Sequence, residues 1–97
     1  MMMVIVSYDV KISDPDGAKR LRHIAKICQN YGVRVQNSVF ECLVDTANLE
    51  LLKEKLLDQI DETKDSLYFF NIGKKYHHKI EKFGSKDVID LDGPIIF

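Results

Sequence analysis

Strand-like and helix-like patterns alternate along the chain, and that order restricts the folds open to it more than any other feature. Residues 3–8, MVIVSY, form a short β-branched run that ends at Asp9, as a strand buried on at least one face does. After the turn residues Asp14, Pro15, Asp16 and Gly17, the apolar positions Leu21, Ile24, Cys28 and Tyr31 recur at helical spacing, which predicts an amphipathic helix over 18–31. Gly32 then stands where a left-handed helix stop favours glycine. Residues 33–44 are strand-like, with Val33, Val35 and Val39 alternating against Arg34, Gln36, Ser38 and Phe40, and a hairpin return within this stretch is an open alternative. Thr46 or Asn48 can cap a second helix whose Leu49, Leu52, Leu56 and Ile60 face one way as far as Glu62. Residues 66–72, SLYFFNI, form an aromatic-rich strand.

Strand, helix, strand with a possible return, helix, strand is the split βαβ order, so the fold class is α+β and ferredoxin-like, βαββαβ. Residues 73–85 are basic and could hold a helical turn. Beyond them 88–91 and 95–97 are apolar runs split by Gly93 and Pro94, which predicts an additional C-terminal strand on a sheet edge of this chain or of a partner. With 97 residues, one domain over 1–97 is expected, its tail 86–97 packing on a second subunit, because a core this small gains from pairing as a homodimer.

Residues 1–6 lack a basic leader and read as a strand rather than a secretory signal, and no apolar run approaches the roughly 20 residues of a membrane helix. Cys28 and Cys42 have neither metal nor redox spacing, which fits small buried hydrophobes in a reduced, cytoplasmic protein. Net charge is −1, yet Lys19, Arg20, Arg22, Lys26 and Arg34 occur between 17 and 34 with no acid among them, while 50–65 is predominantly acidic. That asymmetry points to a polyanion partner on selected faces.

Asp9 stands where a side chain can leave the first strand for solvent. A carboxylate there could hold magnesium, which prefers oxygen ligands and retains several waters, or could simply accept loop amides. A two-fold axis near the strand ends would bring two Asp9 carboxylates to one ion. On the first helix Lys19, Arg22 and Lys26 oppose the apolar face, whereas Arg20 falls on its flank, where a guanidinium takes a carboxylate or phosphate partner or snorkels to water. Arg34, Gln36, Ser38 and Phe40 on one side of the second strand combine charge, hydroxyl and aromatic groups suited to phosphate and base contacts, and equally to ordinary cross-strand pairing. His23, His77 and His78 lack zinc spacing, and no glycine-rich phosphate loop or hydrolase elbow is present.

The segments VIVSYDV at 4–10, GAKRLRHIAKIC at 17–28, YGVRVQNSVFEC at 31–42 and DSLYFFNIG at 65–73 together resemble the Cas-two family of CRISPR spacer acquisition, type I-C in particular. The resemblance implies a ferredoxin-like homodimer with C-terminal strands on the partner's sheet. It implies metal-dependent endonuclease activity on RNA or double-stranded DNA, with Asp9 as magnesium ligand and catalytic residue, manganese able to substitute, and Tyr8 beside it. Lys19, Arg20, Arg22, Lys26, Arg34, Ser38 and Phe40 become its nucleic-acid-binding set. An integrase of the Cas-one family becomes the protein partner, bridged by the dimer during adaptation. A toxin-like ribonuclease cutting messenger RNA, a non-catalytic nucleic-acid scaffold and a small-molecule regulatory module on the same fold are the alternatives.

Overall fold

The computed structural model describes residues 1–84. Its elements are β1 (Met2–Asp9), α1 (Gly17–Gln29), β2 (Gly32–Gln36), β3 (Val39–Val44), α2 (Thr46–Gln59) and β4 (Ser66–Gly73). The strands form one sheet in the order β2-β3-β1-β4, every neighbouring pair antiparallel. This is the ferredoxin-like α+β arrangement. The expected tail strand lies outside the described residues.

Strand period decides which side chains meet the helices. Val4, Val6 and Tyr8 of β1 and Phe40, Cys42 and Val44 of β3 point to one face, where they pack with Ile24 and Cys28 of α1 and Leu49, Leu52 and Leu56 of α2. Burying a side chain such as Ile24, Leu52 or Leu56, each wholly inaccessible, contributes about 1.5–3 kcal/mol. Ile5, Ser7 and Asp9 point to the other face, in register with Glu41 and Val39 of β3 and with Phe70, Tyr68 and Ser66 of β4. Neither helix covers this second face, and Tyr68 and Phe70 are 61% and 50% exposed on it.

The stretch 33–44 is two strands. Asn37 and Ser38 turn the chain, and an irregularity between Arg34 and Gln36 shifts the β2–β3 register. Arg34 therefore pairs with Phe40 on the helix face, while Gln36 pairs with Val39 on the opposite one. The predicted row of Arg34, Gln36, Ser38 and Phe40 on one side is corrected accordingly.

Gly32 does not adopt a left-handed conformation, because α1 closes at Asn30 with the backbone still right-handed. Its glycine is required by space, since a Cβ there would run into the Glu41 carbonyl and come within 2.6 Å of Cys42 Sγ. At α2 the cap is Asp45, one residue before the expected Thr46, and its carboxylate accepts the Asn48 amide at 2.8 Å. Residues 74–84 form no helix. A turn closed by Lys79 N to the Tyr76 carbonyl leads the segment over the β2–β3 part of the sheet face that the helices leave open, where Lys82 pairs with Glu41 at 3.2 Å. Among the described residues no helix is long and apolar enough to cross a membrane.

Candidate functional site

The alternation of β1 separates its last two residues. Tyr8 turns inward and is 4% exposed, whereas Asp9 turns outward at the strand end, opposite Ser66. Among the described residues the Asp9 carboxylate has no hydrogen bond or ion pair, so its oxygens are available to an external ligand. The strand holds it from both sides: the Tyr8 amide donates to the Ser38 carbonyl at 3.0 Å, and β4 pairs with β1 as far as Asp9.

Tyr8 is not placed as an exposed acid or base. Its ring stacks near Phe40, with centroids 6.3 Å apart, and its hydroxyl donates to the Asn37 carbonyl at 3.5 Å. Burial raises its pKa, as does nearby Cys28, while Arg34 opposes the shift. The phenol therefore stays protonated at neutral pH and braces the β2–β3 turn against β1. Phe40 is fully buried and cannot stack on a base, which corrects its assignment to nucleic-acid contact. The hairpin return put it on the core side. What reaches solvent here is Arg34, whose guanidinium carbon lies 5.2 Å from the Phe40 ring centre, an aromatic–cation contact that holds an exposed cation in place. Ser38 is half-buried in the turn.

Arg20 is committed elsewhere. Its Nε donates to Asp65 Oδ2 at 2.8 Å and its Nη2 to Asp65 Oδ1 at 3.1 Å; Nη1 and Nη2 reach the two Asp14 oxygens at 3.2 and 3.1 Å. A further bond runs from Nη2 to the Lys11 carbonyl at 3.3 Å. The side chain is only 13% exposed and its fork is filled by protein acceptors, so the assignment of Arg20 to nucleic-acid contact is also corrected. Lys19, Arg22 and Lys26 are exposed on α1, the helix that packs behind the sheet, and Asp9 lies on the sheet's other face.

Sequence reasoning missed Asp65. Its side chain is wholly inaccessible and accepts the Lys11 and Asp61 amides, at 3.1 and 2.9 Å, as well as both Arg20 bonds. Burial alone would raise its pKa, but the Arg20 fork and the two amides outweigh that and hold it below the ordinary carboxylate value. The signal that could have found it was an arginine on the apolar flank of a helix in need of an acid.

Among the described residues no group of three or more histidine, cysteine or acidic side chains could hold a metal ion. Among the described residues the end of β1 offers Asp9, a hard oxygen donor of the kind magnesium takes. A single carboxylate fits such an ion if a second copy supplies another and waters or a phosphate complete the shell.

The model of the family described as CRISPR associated protein Cas2 matches residues 2–80. A protein from Halalkalibacterium halodurans named CRISPR-associated endonuclease Cas2 is 54% identical over 96 residues, covering 99% of this chain and all of the relative. One from Nitratidesulfovibrio vulgaris named CRISPR-associated endoribonuclease Cas2 is 50% identical, over 98% of this chain and 93% of the relative. The crystal structure of Streptococcus pyogenes Cas2 at pH 6.5 superposes with a TM-score of 0.76 at 51% identity, covering 86% of this chain and 100% of that one. A hypothetical protein from Thermus thermophilus superposes at 0.71 with 30% identity, covering 87% of this chain and 92% of that one. With a matching model over most of its length and relatives at half identity end to end, the chain belongs to the CRISPR-associated Cas2 family.

Proposed function

We propose that this protein works in CRISPR adaptation as a cytoplasmic homodimer that bridges integrase dimers of the Cas1 family and holds spacer DNA. A magnesium-dependent phosphodiesterase is centred on Asp9. The observation that carries the catalytic half is the Asp9 carboxylate, exposed and without a partner among the described residues, at a strand end fixed on both sides. Tyr68 and Phe70, exposed among the described residues on the sheet face that neither helix covers, support pairing with a second copy, which would supply the second carboxylate. Arg34, held over Phe40, and the cations of α1 are the groups suited to phosphates.

A bound divalent ion would supply Lewis-acid polarisation of a phosphoryl oxygen and a more acidic water. The chain's own part is to present Asp9 rigidly and to leave it free of competing cations. The relatives' names divide between endonuclease and endoribonuclease, so duplex DNA and single-stranded RNA are both candidate substrates. The test is cleavage of each, labelled, by wild type and Asp9→Ala in magnesium, manganese or chelator. Metal-dependent cutting lost in the variant is expected. Equal cutting by both proteins, or none, would overturn the phosphodiesterase and leave the adaptor. Bridging is tested separately, by co-purification of the Cas1 integrase with the full chain and with a chain lacking 88–97; capture lost with the tail is expected, and normal capture would overturn the tail's role.

A further inference from the structure

Arg20 belongs to a helix, Asp65 to the residue before β4 and Lys11 to the loop that leaves β1, yet the three are joined through a single guanidinium. Asp65 accepts the Lys11 amide at 3.1 Å while Arg20 donates to the Lys11 carbonyl at 3.3 Å, so both backbone groups of Lys11 are gripped by one ion pair. Lys11 lies two residues beyond Asp9, and Asp9 itself pairs with Ser66, the neighbour of Asp65. The clamp therefore holds the two backbone strands that flank the carboxylate. Asp14 closes the loop from the other side, bonded to Arg20 and, at 3.3 Å, to Lys64.

We propose that Arg20 and Asp65 are positioning residues: together they fix the chain just past β1 and so set the direction in which Asp9 leaves the sheet, without either of them touching nucleic acid. The reaction they serve is the one argued above, and the inference rests on that reading, but the clamp itself has a separate readout. A planar fork that spans two carboxylates and a carbonyl is not reproduced by the single ammonium of lysine. An acid that stays buried against that fork has no reason to face a polyanion at all.

The experiment uses wild type, Arg20→Ala, Arg20→Lys and Asp65→Asn, all at a temperature where far-UV circular dichroism shows each to be native. Duplex DNA binding is measured in chelator across a salt series, backbone amide exchange over residues 10–12, and cleavage as kcat and KM. The clamp predicts a salt slope that Arg20→Ala leaves unchanged, because no phosphate contact is lost. It also predicts faster exchange at the Lys11 amide in Asp65→Asn and Arg20→Lys, and a fall of about tenfold or more in kcat in both with KM retained. A salt slope reduced by about one in Arg20→Ala would identify a direct phosphate contact and overturn the proposal. So would unchanged exchange at Lys11, or full activity in Asp65→Asn. If wild type itself cuts nothing, the catalytic reading fails, while binding and exchange still decide whether the clamp exists.

Discussion

Replacing Asp65 by alanine removes a side chain that accepts four hydrogen bonds, from the amides of Lys11 and Asp61 and from Nε and Nη2 of Arg20. The two amides are part-buried, and leaving such donors without an acceptor costs about 1 kcal/mol each at the low end of the range. Losing the charged acceptor adds to that. The total is about 3 kcal/mol, the lower bound for breaking a buried pair, because Arg20 keeps Asp14 and can draw water. Set against the ~5–15 kcal/mol that holds a typical domain together, this is a large fraction. Urea unfolding followed by circular dichroism at one fixed protein concentration should show a midpoint lowered with the slope unchanged, and heating should lower Tm by about 12–24 °C. Asp65→Asn, which keeps one acceptor oxygen where two amides each use their own and presents uncharged groups to Arg20, should fall between. A loss under 1 kcal/mol for Asp65→Ala would refute the view that this carboxylate ties β1, α1 and β4 together.

The carboxyls of Asp14 and Asp65 are held below their ordinary range, Asp14 chiefly by its bonds to Arg20, and Asp61 is lowered by the Thr63 hydroxyl and amide. Depressed carboxylates stabilise the fold above their unfolded values near 4 and lose that contribution as acid protonates the folded state, so unfolding free energy should be flat from neutral pH to about 4 and decline below it. Urea midpoints between pH 7 and 2 would show this, and Asp65→Asn should decline less. Burial pushes the thiols of Cys28 and Cys42 up to about 12, so neither should react with Ellman's reagent at pH 8 until denaturant is added. Gly32→Ala has no room between Glu41 and Cys42 and should unpair the start of β2, lowering Tm by several degrees; an unchanged Tm would show that β2 can move aside.

Four elements of the βαββαβ order were legible in the sequence from local signals: a β-branched run for β1, an aromatic-rich run for β4, and a 3.6 period for α1 and α2. The β2–β3 hairpin was less so. Its turn, Asn37-Ser38, has no glycine or proline to mark it, and valines run through both strands, so one continuous alternation accounts for the residues as well as two short ones do. That ambiguity propagated to the site, since Phe40 changes from surface to core according to which side of the turn it is counted from. Asp9 was legible because a strand end is a local property. Asp65 was not, because its partners Arg20 and Lys11 stand 45 and 54 residues away and only the sheet brings them together. Gly32 shows a third case: the residue was recognised as special, but the reason lay in the Cys42 sulfur across the sheet rather than in its own backbone.

The opposed directions of Tyr8 and Asp9 also limit how the chain can change length. Inserting or deleting one residue within β1 upstream of them would rotate the rest of the strand by half a period, turning the carboxylate into the helix-packed core and the phenol out to water. Two residues added or removed together would restore the facing. Length changes across this strand should therefore survive in nature only in even steps or where a bulge absorbs the odd one. The irregularity already present between Met3 and Val4 in the β1–β4 pairing marks where such an absorber could sit.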